Sequence, residues 1–204
     1  MKGSDEMARQ FYLADTHFSH ANIIKFDHRP FNDVGEMEEI MVMNWNAVVR
    51  PEDTVYIIGD FCWGTAAEWL RILKRLKGHK VLIKGNHDLK KMTAELKNQF
   101  LDIKDYMEIK DNGRDVILSH YPLVFYKHSS DPNVFMLCGH VHKTKENEWL
   151  EKWCTELRLK DMEGDVSHYS NKGQIINVGV MMSWIQYCPR TLDEILRHHP
   201  VGKK

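Results

Sequence analysis

Short apolar runs that end in polar clusters constrain the fold of this 204-residue chain more than any other feature of its sequence. Runs of about 4–8 residues rich in β-branched and aromatic side chains, bounded by glycine and polar residues, are typical of buried strands. Such runs cover residues 11–14, 55–58, 81–83, 116–118, 134–138 and 175–176. Each run leads directly into a cluster that contains Asp, Asn or His.

Two stretches between the predicted strands have apolar residues at helical spacing. The first runs from Met37 to Val48, and the second runs from Ala66 to Leu76, with Gly78 after it as the predicted helix stop. Strands that alternate with helices predict an α/β domain. The chain has the length of one domain, which we expect to span residues 1–204.

The composition is that of an ordinary globular protein, with 43% apolar and 28% charged residues. No apolar run approaches the roughly 18–20 residues that cross a bilayer, and residues 1–10 lack the apolar stretch of a signal peptide. We therefore expect a cytoplasmic protein without a membrane partner. The net charge of −1 and the lack of a basic tract disfavour dedicated nucleic-acid binding. The four cysteines show no C-x-x-C spacing and do not predict a structural zinc site.

Residues 143–173 form a long, mostly charged stretch between two predicted strands. Such a length is unusual for a plain loop, so we expect a helical insertion here. Its apolar positions fit one amphipathic helix that contains Trp149, Leu150, Trp153, Cys154 and Leu157. A surface helix at the edge of the domain is one interpretation, and an active-site lid or a subunit contact in a homodimer is the alternative. Residues 197–204 are expected to form a frayed end.

The polar clusters carry the candidate chemistry, because the carboxyl ends of strands line the ligand crevice of α/β sheets. Clusters at strand exits should therefore converge on one place. They would bring together two carboxylates, one amide and several imidazoles from Asp15, His17, Asp60, Asn86, His87, His120, His140 and His142. These mixed nitrogen and oxygen donors suit Mn²⁺, Fe²⁺ or Zn²⁺ and exceed the needs of one ion. Two ions about 3.5–4 Å apart need a bridging ligand, and a carboxylate such as Asp60 can bridge.

Each of these fragments is weak evidence alone, but the ordered set is specific. The chain resembles the calcineurin-like metallophosphoesterase superfamily through Asp15-x-His17, Gly59-Asp60, Gly85-Asn86-His87-Asp88, His120 and Gly139-His140-x-His142. The resemblance covers residues 11–142 directly, and the strand that ends in Asn177-Val178-Gly179 extends it. It implies a four-layer α/β/β/α sandwich, in which helices flank two mixed β-sheets and a dimetal site lies at the strand ends.

The resemblance also implies roles for individual residues. It assigns one metal to Asp15, His17, Asp60 and His142, and the other metal to Asp60, Asn86, His120 and His140. His87 would lie beside the scissile phosphate, where it binds a phosphate oxygen or protonates the leaving alkoxide. A hydroxide that bridges the two ions would attack phosphorus directly. Mn²⁺ is the expected metal, with Fe, Zn or Ni as alternatives.

Two further residues are candidates for substrate contact. His20 follows the first motif and could reach a substrate phosphate, although a hydrogen-bonded loop histidine is an equal alternative. Arg29 could clamp a phosphate, because the guanidinium fork matches phosphate oxygens, but a surface salt bridge is the simpler interpretation.

Three functions are the main candidates for these residues, and a protein phosphatase is a further alternative, although no feature of the sequence selects phosphopeptides. The first is hydrolysis of small phosphomonoesters or phosphodiesters, including nucleotide-type substrates. The second is a nuclease of the same chemistry, which the near-neutral charge disfavours. The third is a non-catalytic interaction module on the same fold. Scaffold members of the superfamily have lost the catalytic histidine, so the presence of His87 argues against this third function.

Overall fold

The structure is a computed structural model that describes residues 7–90, 92–164 and 171–199. The strands in these ranges are β1 Gln10–Leu13, β2 Thr54–Ile58, β3 His79–Ile83, β4 Asp102–Lys104, β5 Tyr106–Asp111, β6 Arg114–Ser119, β7 Val134–Cys138 and β8 Ile175–Asn177. The helices are α1 Ile23–Phe26, α2 Val34–Val48, α3 Ala66–Leu73, α4 Ala94–Lys97, α5 Lys145–Glu163 and α6 Leu192–His198. Every predicted strand and both predicted helices are present. Helix α3 ends at Leu73, earlier than predicted, and Gly78 lies in the following turn with φ of 78°.

The strands form two four-stranded sheets. The first has the order β1-β2-β3-β4, and all of its pairs are parallel. The second has the order β5-β6-β7-β8, with β5 antiparallel to β6 and the other pairs parallel. Parallel strands end at the same edge of their sheet, so the segments that follow them lie side by side. The predicted α/β fold, with two sheets flanked by helices, is confirmed, but only the second sheet is mixed, because the first sheet contains parallel pairs alone.

Alternation of side chains along the second sheet separates two apolar layers. On β6, Val116 and Leu118 join the large core cluster that also contains β1–β3 and the apolar faces of α2 and α3. Ile117, between them, belongs to a second cluster on the opposite face, where Cys154 of α5 covers the sheet. The layers therefore follow the order α2 and α3, first sheet, second sheet, α5. Within the described ranges, no helix has the length and apolar character needed to span a bilayer.

Helix α5 occupies most of the segment in which a helical insertion was predicted. It packs on the second sheet through Cys154, with Leu150 and Trp153 partly buried beside it. This placement favours the interpretation as a surface helix, while the lid and the subunit contact stay predictions. Trp149 was expected on the apolar face of the helix, but it is 67% exposed.

Sequence analysis missed the elements that lack a long apolar run. Strand β5 alternates exposed and partly buried residues at the edge of its sheet, and β4 has only three residues. The predicted frayed end is wrong for residues 197–199, because α6 continues to His198 and His199 is 3% exposed. The ring of His199 lies 4.5 Å from that of Trp184, which holds this end against the protein. Residues 200–204 lie outside the described ranges.

The two sheets meet where β1 runs beside the segment that follows β8. Ala14 forms an isolated parallel bridge with Gly179, and its backbone N–H donates to the carbonyl of Val178 over 2.8 Å. The hydroxyl of Tyr12 adds a side-chain link, because it donates to Asp111 of β5 over 3.0 Å. The bridge between Ala14 and Gly179 brings together the carboxyl ends of the parallel strands of both sheets.

We expect Tyr12→Phe to lower the free energy of unfolding by about 1–3 kcal/mol, because Asp111 would lose a buried hydrogen-bond donor. Burial already raises the pKa of Asp111, so its carboxylate is poorly solvated. Urea unfolding measures the difference. Tyr56→Phe is the matched control, since its ring stacks on that of Tyr12 at 5.5 Å and its hydroxyl has no hydrogen-bond partner among the described residues. Equal losses in both variants would contradict the role of the Tyr12–Asp111 bond.

Candidate metal centre

The parallel strands deliver polar side chains to the shared edge of the two sheets. These are Asp15 and His17 after β1, Asp60 after β2, Asn86 and His87 after β3, His120 after β6, and His140 and His142 after β7. The structure brings these side chains together around two neighbouring groups of donor atoms.

The first group combines residues from three of these loops. Asp15, His17, Asp60 and His142 each place one ligand atom within 4.8 Å of the others, and three of the four residues are buried. The Nε2 atoms of His17 and His142 are 3.3 Å apart, and Nε2 of His142 lies 3.8 Å from Oδ1 of Asp15. This group contains the same residues that the resemblance implies for one metal.

The second group lies on the other side of Asp60. Oδ1 of Asn86 is 2.9 Å from Nε2 of His120 and 2.9 Å from Nδ1 of His140. Oδ2 of Asp60 lies 3.6 Å from Nε2 of His120 and 3.7 Å from Nε2 of His17. One carboxylate oxygen therefore faces both groups, which is the position that a bridging ligand requires.

The backbone of the candidate ligands is unusual. Asp15, His17, Asp60, His140 and His142 all have φ values between 44° and 69°. Asp and His enter this left-handed region more readily than most residues, yet such conformations cost roughly 1–3 kcal/mol each. Other loop residues also have positive φ values, but strain at five candidate ligands indicates that the surrounding fold holds these side chains in position.

Two glycines allow the ligand loops to pack closely. A Cβ atom at Gly85 would collide with the carboxylate of Asp60, and a Cβ atom at Gly59 would collide with the ring of His120. Gly59 also has a φ of 80°, which disfavours other residues. The two glycines therefore make room for Asp60 and His120, which belong to the ends of other strands.

Burial dominates the electrostatics of the centre. It raises the pKa of Asp15 to about 7, against the attraction of His142. It lowers the pKa of His17 to about 2, and it also lowers the pKa values of His120 and His140. Neutral imidazoles and ionised carboxylates are the forms that bind metals, and a divalent cation would stabilise the buried carboxylates in that form. The mixed donor set thus fits a divalent ion of the Mn²⁺, Fe²⁺ or Zn²⁺ type.

Asp27, which the sequence analysis did not single out, orients His142. Its Oδ1 lies 2.7 Å from Nδ1 of His142, so that Nε2 is the nitrogen directed at the other candidate ligands. Burial acts to lower the pKa of His142, but the bond to Asp27 raises it. A carboxylate on the second nitrogen of a ligating histidine fixes its tautomer and its ring orientation.

Arg29 holds Asp27 and the first motif loop instead of facing a substrate. It is 4% exposed, and its Nε and Nη2 atoms donate to Oδ2 of Asp27 over 3.0 and 2.9 Å. Its other donors bind the backbone carbonyls of Thr16 and Asp15 over 2.8 and 2.9 Å. The predicted phosphate clamp has no support in this geometry, because the guanidinium is turned into the protein. The alternative of a surface salt bridge is also replaced, since the ion pair with Asp27 is buried.

Asp88 joins the loops that follow β2 and β3. Its carboxylate accepts hydrogen bonds from the backbone N–H groups of Gly85, Asp60 and Phe61 over 2.7, 3.1 and 2.9 Å. Burial raises the pKa of Asp88 to about 6 although these bonds act in the opposite direction. Asp88 therefore fixes the backbone on both sides of Asp60.

His87 and His20 lie at the rim of the centre. The backbone N–H of His87 donates to Oδ1 of Asp60 over 2.9 Å, and its exposed ring lies 6.0 Å from that of His17. The ring of His20 lies 5.4 Å from that of His17 and stacks on Trp63 at 4.4 Å. Both histidines can contact a molecule bound at the centre, and their individual roles stay predictions.

Helix α5 supports the last ligand loop. Asn177, at the end of β8, donates to the backbone carbonyl of His142 over 2.8 Å and to the side chain of Asn147 over 2.9 Å. Asn147 lies in the first turn of α5 and is 4% exposed. The segment 143–173 thus contributes a buried contact next to a candidate ligand.

A family model described as calcineurin-like phosphoesterase matches residues 11–180. The matched range contains every candidate ligand, and the structure has the two-sheet fold that the resemblance implied. The chain therefore belongs to the calcineurin-like phosphoesterase family, and the resemblance drawn from its motifs is confirmed.

Several relatives of this chain carry names that state no activity. The uncharacterized protein MJ1445 of Methanocaldococcus jannaschii is 32% identical over 199 residues, which are 97% of this chain and 94% of that protein. The gene 66 protein of Mycobacterium phage L5 is 24% identical over 163 residues, which are 67% of this chain and 78% of that protein. The crystal structure of AQ665, a protein of unknown function from Aquifex aeolicus, matches with a TM-score of 0.66 and 31% identity over 94% of this chain and 99% of its own.

We expect Asp27→Asn to weaken the binding of a divalent ion about 10- to 100-fold, because supporting carboxylates of ligating histidines have effects of this size. Asparagine keeps the shape of the side chain but removes the charge beside His142. Calorimetric titration of the metal-free protein with Mn²⁺ as the probe ion measures the affinity. Asp53→Asn is the matched control, since its buried carboxylate pairs with Arg9 over 2.8 Å at the opposite end of the first sheet. Equal Mn²⁺ affinity in the wild type and Asp27→Asn would show that Asp27 has no such role.

Proposed function

We propose that the chain is a hydrolase of phosphomonoesters or phosphodiesters that works with two divalent ions. The observation that carries the proposal is the position of Asp60 Oδ2, which lies 3.7 Å from Nε2 of His17 and 3.6 Å from Nε2 of His120. A carboxylate placed between two donor groups is the arrangement that holds a pair of ions about 3.5–4 Å apart. Membership of the phosphoesterase family supports the same reaction class.

The residues present fit such a pair of ions. One ion would be held by Asp15, His17, Asp60 and His142, and the other by Asp60, Asn86, His120 and His140. We propose Mn²⁺ as the metal, with Fe, Zn or Ni as alternatives that the same donors accept. When bound, the two ions supply the Lewis acidity that ionises water near neutral pH and neutralises charge on the phosphate oxygens.

The protein fixes the donor atoms before a substrate arrives. The backbone N–H of His140 donates to both carboxylate oxygens of Asp15 over 3.1 Å, which connects the first motif to the last. Nδ1 of His120 lies 3.1 Å from the backbone carbonyl of Ile58, so that its Nε2 is directed at Asp60. Such contacts limit reorganisation at the moment of reaction. Direct attack of water needs no Ser or Cys nucleophile, so we expect no phosphoenzyme.

His87 is the residue that we propose for action on the leaving group. It stands outside the compact group of donor atoms, and its ring is exposed. Its backbone bond to Asp60 keeps it beside that group. From this position it would bind a phosphate oxygen and donate a proton to the departing alkoxide, as a general acid does.

A panel of small phosphomonoesters and phosphodiesters, assayed with Mn²⁺, tests the proposal. We expect turnover of at least one class and its loss when a chelator removes the metal. Oligonucleotides in the same panel test the alternative nuclease activity. If Mn²⁺ binds and no ester of any class is hydrolysed, the proposed function is wrong and the alternative of a non-catalytic interaction module gains support.

We expect His87→Ala to retain Mn²⁺ affinity and to lower kcat by about 10²–10⁴-fold, the usual contribution of a general acid. The reason is that His87 lies beside the donor groups without belonging to them. Metal titration and steady-state kinetics measure the two effects separately. His79→Ala is the control, since it removes an exposed imidazole from the opposite end of β3. An unchanged kcat in His87→Ala would exclude the proposed role.

We expect Asp60→Asn to lose both metal binding and turnover, because the amide carries less charge at the position that both donor groups share. The number of bound ions is measured by elemental analysis of the protein after incubation with Mn²⁺, and turnover is measured on the best ester of the panel. Asp53→Asn again controls for the loss of a buried carboxylate. Two bound ions and full activity in Asp60→Asn would disprove the bridging role.

A further inference from the structure

We propose that Trp63 forms a stacking subsite for a planar ring on the leaving alcohol. The substrate class that has such a ring, and that we propose for this protein, is the nucleoside phosphates. The inference rests on the proposed function, because it takes a phosphate bound at the candidate centre as its starting point. It assigns a substrate-recognition role to a residue that the motifs do not contain.

Trp63 lies against the two histidines at the rim of the centre. Its ring is stacked on that of His20, with centroids 4.4 Å apart and planes inclined by 15°, and it lies 4.9 Å from the ring of His87. The backbone N–H of Trp63 donates to the carbonyl of Phe18 over 2.7 Å. This bond attaches the loop after β2 to the loop after β1, so the indole has a defined place beside the centre.

The exposure of Trp63 argues against a purely structural role. It is 44% exposed although His20 covers part of its ring, whereas the core residues Trp45 and Trp69 are 1% and 0% exposed. Phe26, whose ring lies 6.2 Å from that of His20, is 70% exposed. Aromatic surface left open beside a polar site is a feature of ligand-binding surfaces.

The position of His87 indicates which part of the substrate reaches Trp63. His87 neighbours both the first donor group, 6.0 Å from the ring of His17, and the indole of Trp63. Because His87 is the proposed proton donor to the leaving oxygen, the group attached to that oxygen extends towards Trp63. A nucleobase is separated from the phosphate by one sugar, and it is the planar group that we propose for the position beside Trp63. Nucleobases stack on aromatic side chains in a sequence-tolerant way.

The test compares substrates that differ only in the base. Adenosine 5′-monophosphate and ribose 5-phosphate both lose their phosphate from the primary hydroxyl of ribose, so that their intrinsic reactivities are matched. With Mn²⁺ as the metal, we expect kcat/KM to favour the nucleotide by about tenfold or more, the effect of stacking one base. Calorimetric binding of the same two compounds to the metal-loaded His87→Ala variant gives a second measurement that does not depend on turnover.

If the enzyme prefers diesters, the methyl diesters of the same two compounds replace them as test substrates. Hydrolysis of adenosine 5′-(methyl phosphate) consumes one water, breaks one P–O bond and releases one alcohol that takes up a proton. If the base stacks on Trp63 as part of the leaving group, the products are adenosine and methyl phosphate. Release of methanol and adenosine 5′-monophosphate as the main products would overturn the proposed orientation.

Two substitutions of Trp63 separate stacking from folding. Trp63→Ala is expected to bring the ratio of kcat/KM for nucleotide over sugar phosphate close to one, and Trp63→Phe is expected to keep part of the preference. Trp149→Ala is the control, because Trp149 is 67% exposed and has no ring contact with another described residue. Hydrolysis without any preference for the base in the wild type, or an unchanged preference in Trp63→Ala, would overturn the subsite while leaving the phosphoesterase proposal intact. Failure of the wild type to hydrolyse any ester would instead overturn the proposed function, and the subsite with it.

Discussion

The carboxylate of Asp60 is the group around which both sheets are arranged. Its Oδ2 faces His17 from the first sheet and His120 from the second, while its Oδ1 accepts a hydrogen bond from the backbone of His87. One carboxylate can contact both histidines only if the carboxyl ends of the parallel strands of the two sheets lie side by side. The backbone bridge between Ala14 and Gly179 provides this alignment. The packing of the sheets is therefore a condition for the centre as much as for stability.

Buried negative charge explains much of the surrounding architecture. Asp15 and Asp60 are 0% and 2% exposed, and buried carboxylates close to one another are unfavourable without a compensating cation. Arg29 is a buried cation nearby, but its guanidinium binds the carbonyl of Asp15 and the carboxylate of Asp27. The guanidinium thus compensates the supporting groups, and the two inner carboxylates are the groups whose charge a divalent ion would compensate.

Most of the fold and the candidate ligands could be predicted from the sequence because two independent signals coincide at each strand exit. An apolar run fixes the strand, and the polar residue directly after it is then placed at the edge of the sheet, as for Asp60 after β2 and His120 after β6. Strands β4 and β5 escaped prediction because β4 contains a single apolar residue, Ile103, and the edge strand β5 alternates apolar and polar residues, so that neither has such a run. Residues 197–199 were misjudged because burial of His199 against Trp184 depends on tertiary contact.

The residues that support and surround the centre could not be predicted in the same way, because they reach it across loops. Asp27 bonds to His142 over a separation of 115 residues, and a sequence gives no measure of such a distance in space. The sequence did contain a signal, since Asp27 and Arg29 stand two positions apart in a short loop, but the surface salt bridge predicted for Arg29 had no named partner and Asp27 was not singled out. Trp63 follows the motif Gly59-Asp60 closely enough to be carried to the rim by β2. The sheets thus set the positions of the candidate ligands, and the loops set which residues lie at the rim of the centre.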